Sequence, residues 1–241
     1  MKLDILALVA HPDDVELSCS GTLINHIKQG YKVGIIDFTQ GEMGTRGTPE
    51  LRLKEAQAAG EIMGLSAREN LGFRDVFFKN DEAHQLEVVK MLRKYKPDIV
   101  FTNAEYDRHP DHGKAAQLVV DACFISGLKK VVTELDGKEQ EAWRPKNIFH
   151  MIQSEHIKPD FVVDVTESWE QKVQSIEAFS SQFHTNAEES AKGDQTFIST
   201  PDFKHFIEGR AREMGKIANC TFAEGFTKSS QIKVKDVFDL I

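Results

Sequence analysis

Short apolar runs alternate with helical stretches through the first half of this 241-residue chain, and that alternation restricts the fold more than any other feature. Residues 5–10 form a continuous apolar run of the length of a central strand. Residues 17–28 then carry helical spacing, with Leu23, Ile24 and Ile27 on one face and Gly30 as a stop. Residues 33–38 read as a second strand and residues 51–63 as a second helix closed by Gly64. A short strand near 69–71 precedes a helix over 83–95, which Pro97 breaks; residues 98–102 and 113–124 are the next strand and helix. Such alternation builds βαβ units, and right-handed crossovers place helices on both faces of a mostly parallel sheet. The expected fold is a Rossmann-like α/β domain spanning residues 1–241.

The second half is less regular. Residues 129–146 are charged and contain Gly137 and Pro145, which suits a loop or a hairpin excursion. Residues 148–152 and 161–165 read as strands, 167–180 as a helix that Thr166 could cap, and 203–217 as a further helix. Residues 185–202 are polar, hold Gly193 and Pro201, and show no periodicity.

Composition narrows the function class. A formal net charge of -8, with Lys and Arg scattered, argues against nucleic acid as the main partner. Cys19, Cys123 and Cys220 are far apart, an odd number without a CxxC pair, so a reducing, cytoplasmic setting fits. The N-terminal apolar run is too short for a signal-peptide core, and no run approaches a membrane span. Gly41, Gly44 and Gly47 lack the GxGxxG or Walker spacing, so no nucleotide cofactor is expected.

Two clusters remain, each directly after a predicted strand: His11-Pro12-Asp13-Asp14 and His109-Pro110-Asp111-His112. In open α/β sheets ligands bind beyond the carboxyl ends of the strands. Imidazole and carboxylate are the donors of a catalytic Zn²⁺ that keeps one position for water. His11 and Asp14 would supply two ligands from one turn and His112 the third; Fe²⁺ suits the same set. Asp13 is left as a general base, and His109 as the group facing the oxyanion or the leaving amine. Asp111 is expected behind His109, bonded to its ring.

The same residues carry a family resemblance. Ala10-His11-Pro12-Asp13-Asp14-Val15-Glu16 resembles the AHPDD(x)E signature of the LmbE-like, or PIG-L, family of zinc-dependent N-acetylglucosamine deacetylases, and His109 to His112 its HPDH motif. The resemblance extends to Gly41-Glu42-Met43-Gly44-Thr45-Arg46-Gly47, to Arg52 with Glu55, and to Ala223-Glu224-Gly225-Phe226. Ser180-Ser181-Gln182-Phe183 is similar to the bacillithiol-pathway branch, whose members deacetylate N-acetylglucosaminyl malate. It implies the same three zinc ligands and the same base, a homo-oligomer, and a small sugar substrate. It further implies Arg52 as a cation for an anionic group and Glu42 as a contact for sugar hydroxyls, with Arg46 and Arg108 as further substrate contacts. One position departs: some members carry Tyr two places before the second motif, where this chain has Asp107.

Two competing functions stay open on the sequence: another metal-dependent amidohydrolase, for instance on a chitooligosaccharide, and a non-catalytic sugar-binding module. A substrate-facing role for His184 and a site role for Glu224, as against a turn carboxylate, are likewise open.

Overall fold

Strand β1 (Ile5–Val9) is buried along its whole length, and its side chains alternate into two separate cores. Leu6 and Leu8 pack with Val88, Leu92, Leu118 and Val119, whereas Ile5, Ala7 and Val9 pack with Leu23, Ile24, Met151 and Phe226. A strand covered on both faces reads as an unbroken apolar run, which is why it was visible in the sequence. The computed structural model describes residues 1–183 and 196–240. His184 and most of the polar segment 185–202 lie outside those residues.

Around β1 the chain adds α1 (Asp14–Ser18), α2 (Ser20–Lys28), β2 (Val33–Thr39), α3 (Pro49–Met63), β3 (Ala67–Phe73), α4 (Glu82–Tyr95), β4 (Ile99–Thr102) and α5 (Pro110–Ser126). It continues with a small hairpin, β5 (Glu134–Leu135) and β6 (Lys138–Glu139), then β7 (Asn147–Met151), β8 (Phe161–Asp164), α6 (Trp169–Glu177), α7 (Pro201–Ile217) and β9 (Ala223–Thr227). The main sheet has the order β3-β2-β1-β4-β7-β9-β8. The pairs β1–β2, β1–β4, β2–β3 and β4–β7 are parallel, and β9 runs antiparallel to both neighbours. Strand order reverses at β1, so the crevice above its carboxyl end is the topological switch point. No helix of the described residues is long and apolar enough to cross a membrane.

Several boundaries differ from expectation for local reasons. The helix read over 17–28 is two pieces, broken at Cys19. Strand β9 was seen only as a motif, because Ala223-Glu224-Gly225-Phe226 has no alternating pattern. Thr166 does not cap α6; its hydroxyl accepts from the backbone N–H groups of Thr221 and Phe222, and the helix begins at Trp169. The charged stretch 129–146 does hold a hairpin.

Candidate active site

Both clusters stand on helix starts at the carboxyl ends of adjacent strands. After β4, His109 occupies the N-cap of α5 with Pro110 at the first helical position, where proline's fixed φ and missing N–H cost nothing. After β1, Asp13 sits at the N-cap of α1 with φ 102°, a left-handed conformation that Asp and Asn tolerate better than most side chains. The turn thereby brings Asp13 and Asp14 to one cavity of about 340 Å³, which His11, His109 and His112 also line.

Asp14 is the hub. Its Oδ2 accepts from the His11 backbone N–H (3.0 Å) and from Asn103 Nδ2 (2.9 Å), and its Oδ1 accepts from Gln153 Nε2 (3.0 Å). Two ring nitrogens also face it, His112 Nε2 at 3.0 Å from Oδ1 and His11 Nδ1 at 3.6 Å from Oδ2. The opposite nitrogen of each ring is already engaged. His11 Nε2 lies 3.0 Å from Asp75 Oδ1 and 3.5 Å from Asp111 Oδ2. His112 Nδ1 lies 2.5 Å from Asp107 Oδ2, whose other oxygen accepts from the Ser154 and Glu155 backbone N–H groups.

This arrangement fits a cation. A neutral imidazole whose N–H donates a hydrogen bond to Asp75 or Asp107 turns a lone pair toward Asp14. Two lone pairs converging on a carboxylate repel unless a proton or a metal ion lies between. Without a metal ion the carboxylates favour protonation: burial opposes the charged form of His112, but Asp14 and Asp107 outweigh it and hold its pKa at about 9. For His11 burial acts the same way and is outweighed by Asp111, Asp14 and Asp75. Carboxylates behind ligating imidazoles are the usual support of a metal centre. Ring nitrogens of His11, His109 and His112 lie within 4.8 Å of one another, as do donor atoms of His11, Asp75 and Asp111, so these side chains are close enough to hold a metal ion.

The environment of Asp13 differs from that of Asp14. Burial pushes its carboxyl up to about 7, against the pull of Arg52. Arg52 Nη2 donates to Asp13 Oδ2 (3.1 Å) and to the Pro12 carbonyl (2.8 Å), and Nη1 donates to the Gly41 carbonyl (3.1 Å). Gly41 is required here, since a Cβ at that position would lie 1.7 Å from Arg52 Nη1.

Other expected contacts are corrected. Arg52, read as a cation for substrate, is buried but lines the cavity; Nη1 and Nη2 donate to the Asp13 turn and the Gly41 carbonyl, and Nε has no partner among the described residues. Glu42, read as a sugar contact, accepts from the Asp75 backbone N–H at 2.6 Å and does not line the cavity. Arg46 Nε donates to the Ser181 carbonyl (3.1 Å) and lies outside the cavity lining, so it ties the 41–47 loop to the Ser180–Phe183 turn. That turn is anchored by Glu55, which accepts from Ser180 Oγ, Ser181 N and Ser181 Oγ. Asp111 does not support the His109 ring through its carboxylate; that carboxylate accepts from Val76 N (2.9 Å) and Lys114 Nζ (2.7 Å) and faces His11. The His109 contact is reversed, with the Asp111 backbone N–H donating to His109 Nδ1 (3.3 Å). Glu224 is structural: buried in β9, it pairs with Lys172 (2.7 Å) and accepts from Gly21 N and Thr22 N. Arg108 does line the cavity. Asp75, Asn103 and Gln153 were missed as single polar residues after strands, a pattern too common to signal a site. Asp107 was noticed only for not being Tyr; its spacing of five from His112 was the available clue.

The model of the PIG-L family, GlcNAc-PI de-N-acetylase, matches residues 6–123, which contain both motifs. The conserved protein TT1542 from Thermus thermophilus is 33% identical and superimposes with a TM-score of 0.84 over 97% of this chain and 98% of its own. This chain belongs to the PIG-L family. Its PIG-L relatives include N,N'-diacetylchitobiose deacetylase from Pyrococcus horikoshii, 25% identical with a TM-score of 0.78 over 98% of this chain and 88% of that one. A probable N-acetyl-alpha-D-glucosaminyl L-malate deacetylase 2 from Bacillus cereus is 26% identical over 205 residues, 79% of this chain and 88% of the relative. This PIG-L chain is therefore an enzyme of a deacetylase family, and its mostly parallel sheet is the family's α/β fold.

Proposed function

We propose that this chain is a cytoplasmic zinc-dependent hydrolase that removes the acetyl group from an N-acetylglucosamine conjugate, N-acetylglucosaminyl malate, and releases acetate. The observation that carries the reading is the convergence of two backed imidazoles on Asp14, with a second carboxylate, Asp13, beside them in a cavity. His11 Nδ1, His112 Nε2 and Asp14 would hold the ion, the two-His, one-carboxylate set that suits zinc and also Fe²⁺. When bound, such an ion polarises the acetyl carbonyl and brings the pKa of bound water to about 7.

The chain's own residues do the rest. Asp13 takes the proton of the attacking water, and Arg52 fixes the carboxylate for that transfer. His109 Nδ1 accepts a hydrogen bond, and burial lowers the ring's pKa, which favours a neutral ring with its proton on Nε2. A neutral ring in that tautomer is a donor, which suits the oxyanion of the tetrahedral intermediate. The amine then leaves with the proton that Asp13 collected.

Protein loaded with Zn²⁺ is expected to release acetate from N-acetylglucosaminyl malate faster than from diacetylchitobiose, and chelation to abolish both; a chelated sample with full activity would remove the metal from the reaction. Arg52→Met lowers kcat by roughly tenfold or more while KM stays within about twofold, as expected for a residue that positions the base. A response confined to KM would return Arg52 to reading substrate.

A further inference from the structure

Two guanidiniums that line the cavity, those of Arg108 and Arg210, form no ion pair with an acidic side chain among the described residues. Arg108 makes no hydrogen bond within the described residues and stacks on Phe197 at 5.2 Å from the ring centre. Arg210, on α7, stacks on Phe206 at 5.4 Å, and its one hydrogen bond there is from Nη2 to the Leu17 carbonyl at 3.1 Å. The two rings touch, with centroids 6.4 Å apart, so both cations belong to one aromatic platform lining the cavity. Carboxylates near Arg210 are already committed: Glu224 to Lys172 and two backbone N–H groups, Asp107 to His112 and two others. Of its five N–H donors, one is used within the described residues.

We propose that Arg210, with Arg108 beside it, is the residue that reads a carboxylate on the group attached to the sugar. This assignment rests on the reading of the cavity as a sugar-conjugate site, and it places a cation there that, unlike Arg52, is not bonded to the Asp13 turn. An aromatic platform accepts the apolar face of a sugar ring, and a planar fork accepts a carboxylate through paired hydrogen bonds. Burial draws the Arg210 pKa down to about 10, which leaves it charged at neutral pH and poorly hydrated, so a carboxylate exchanges little water to reach it.

The test compares wild type, Arg210→Met and Arg210→Lys on N-acetylglucosaminyl malate, on N-acetylglucosamine 1-phosphate and on the neutral methyl N-acetylglucosaminide. The ratio of kcat/KM for the malate conjugate over the methyl glycoside is expected to fall roughly tenfold or more in Arg210→Met, mainly through KM, with part of the loss restored in Arg210→Lys. A phosphate conjugate that loses more than the malate conjugate would show a phosphate reader and overturn the carboxylate assignment. Equal losses on malate and methyl substrates would overturn the role altogether. Calorimetric binding of glucosaminyl malate to each protein gives a readout without turnover. If no substrate yields acetate yet Arg210→Met loses that binding, the deacetylase reading fails and the anion site stands; if binding is unchanged, the site fails whatever the activity. Arg210→Lys, which keeps a donor for Leu17, serves alone should Arg210→Met not fold.

Discussion

Asp13→Asn is expected to lower kcat by roughly 10²- to 10⁴-fold while the protein keeps its metal content. The substitution is nearly isosteric. Asn tolerates the φ of 102° at this position, and its carbonyl oxygen can still accept from Arg52 Nη2. What it removes is the capacity to take a proton. The contrast is Asp14→Ala, which removes the group that both facing imidazoles share and should lose metal and turnover together. Metal analysis of the two purified variants beside single-turnover acetate release separates the roles. Near wild-type kcat in a metal-loaded Asp13→Asn protein would show that another group accepts the proton. The neighbours thus differ by surroundings and not by type: Asp14 accepts from three donors and faces two rings, whereas Asp13 accepts from one arginine, and burial raises its pKa against that arginine's pull.

The layout of the site could be read in the sequence where a single local rule decided it. Strands β1, β2 and β4 announce themselves as apolar runs because the sheet is covered on both faces. The two His/Asp clusters follow β1 and β4 immediately, so their meeting follows from parallel pairing of those strands. The supports were hidden, because each depends on where a distant backbone runs. Arg52 looked like a substrate cation since nothing in its own helix could reveal the Asp13 turn 39 positions earlier. Asp111 looked like the partner of His109 by sequence proximity, but as the second residue of α5 its carboxylate faces the β3–α4 loop and its backbone caps to His109. Arg210 carried no motif; it becomes a candidate only because α7 packs beside the cavity.

Replacing Arg68 by Met is expected to destabilise the fold by about 3–5 kcal/mol, although Arg68 is not placed among the catalytic groups. Arg68 Nη1 meets Glu16 Oε1 at 2.5 Å, while Nε and Nη2 clamp the two oxygens of Asp37 at 2.8 and 3.1 Å. Glu16 and Asp37 are 0% and 1% exposed, so the change strands two carboxylates where water cannot reach them. Burial already lifts the Glu16 pKa above the ordinary carboxylate range even with Arg68 opposing it, and losing the cation lifts it further. A folded-state pKa above the unfolded one means the native state binds more protons, so the variant should lose stability as pH rises from the unfolded carboxylate range through the raised value, and regain it on acidification. Urea midpoints of wild type and Arg68→Met across that range measure the effect. Adding Glu16→Gln and Asp37→Asn should recover most of the loss at neutral pH, because the penalty lies in the orphaned charges and not in the missing guanidinium. A variant as stable as wild type at neutral pH would mean that water or a rearranged side chain reaches the two carboxylates. Glu16 lies two residues beyond Asp14 on α1, so this buried triad also anchors the short helix that carries the metal-site turn. The final residue of the first motif therefore serves that site from the interior, by fixing the ground on which Asp13 and Asp14 stand.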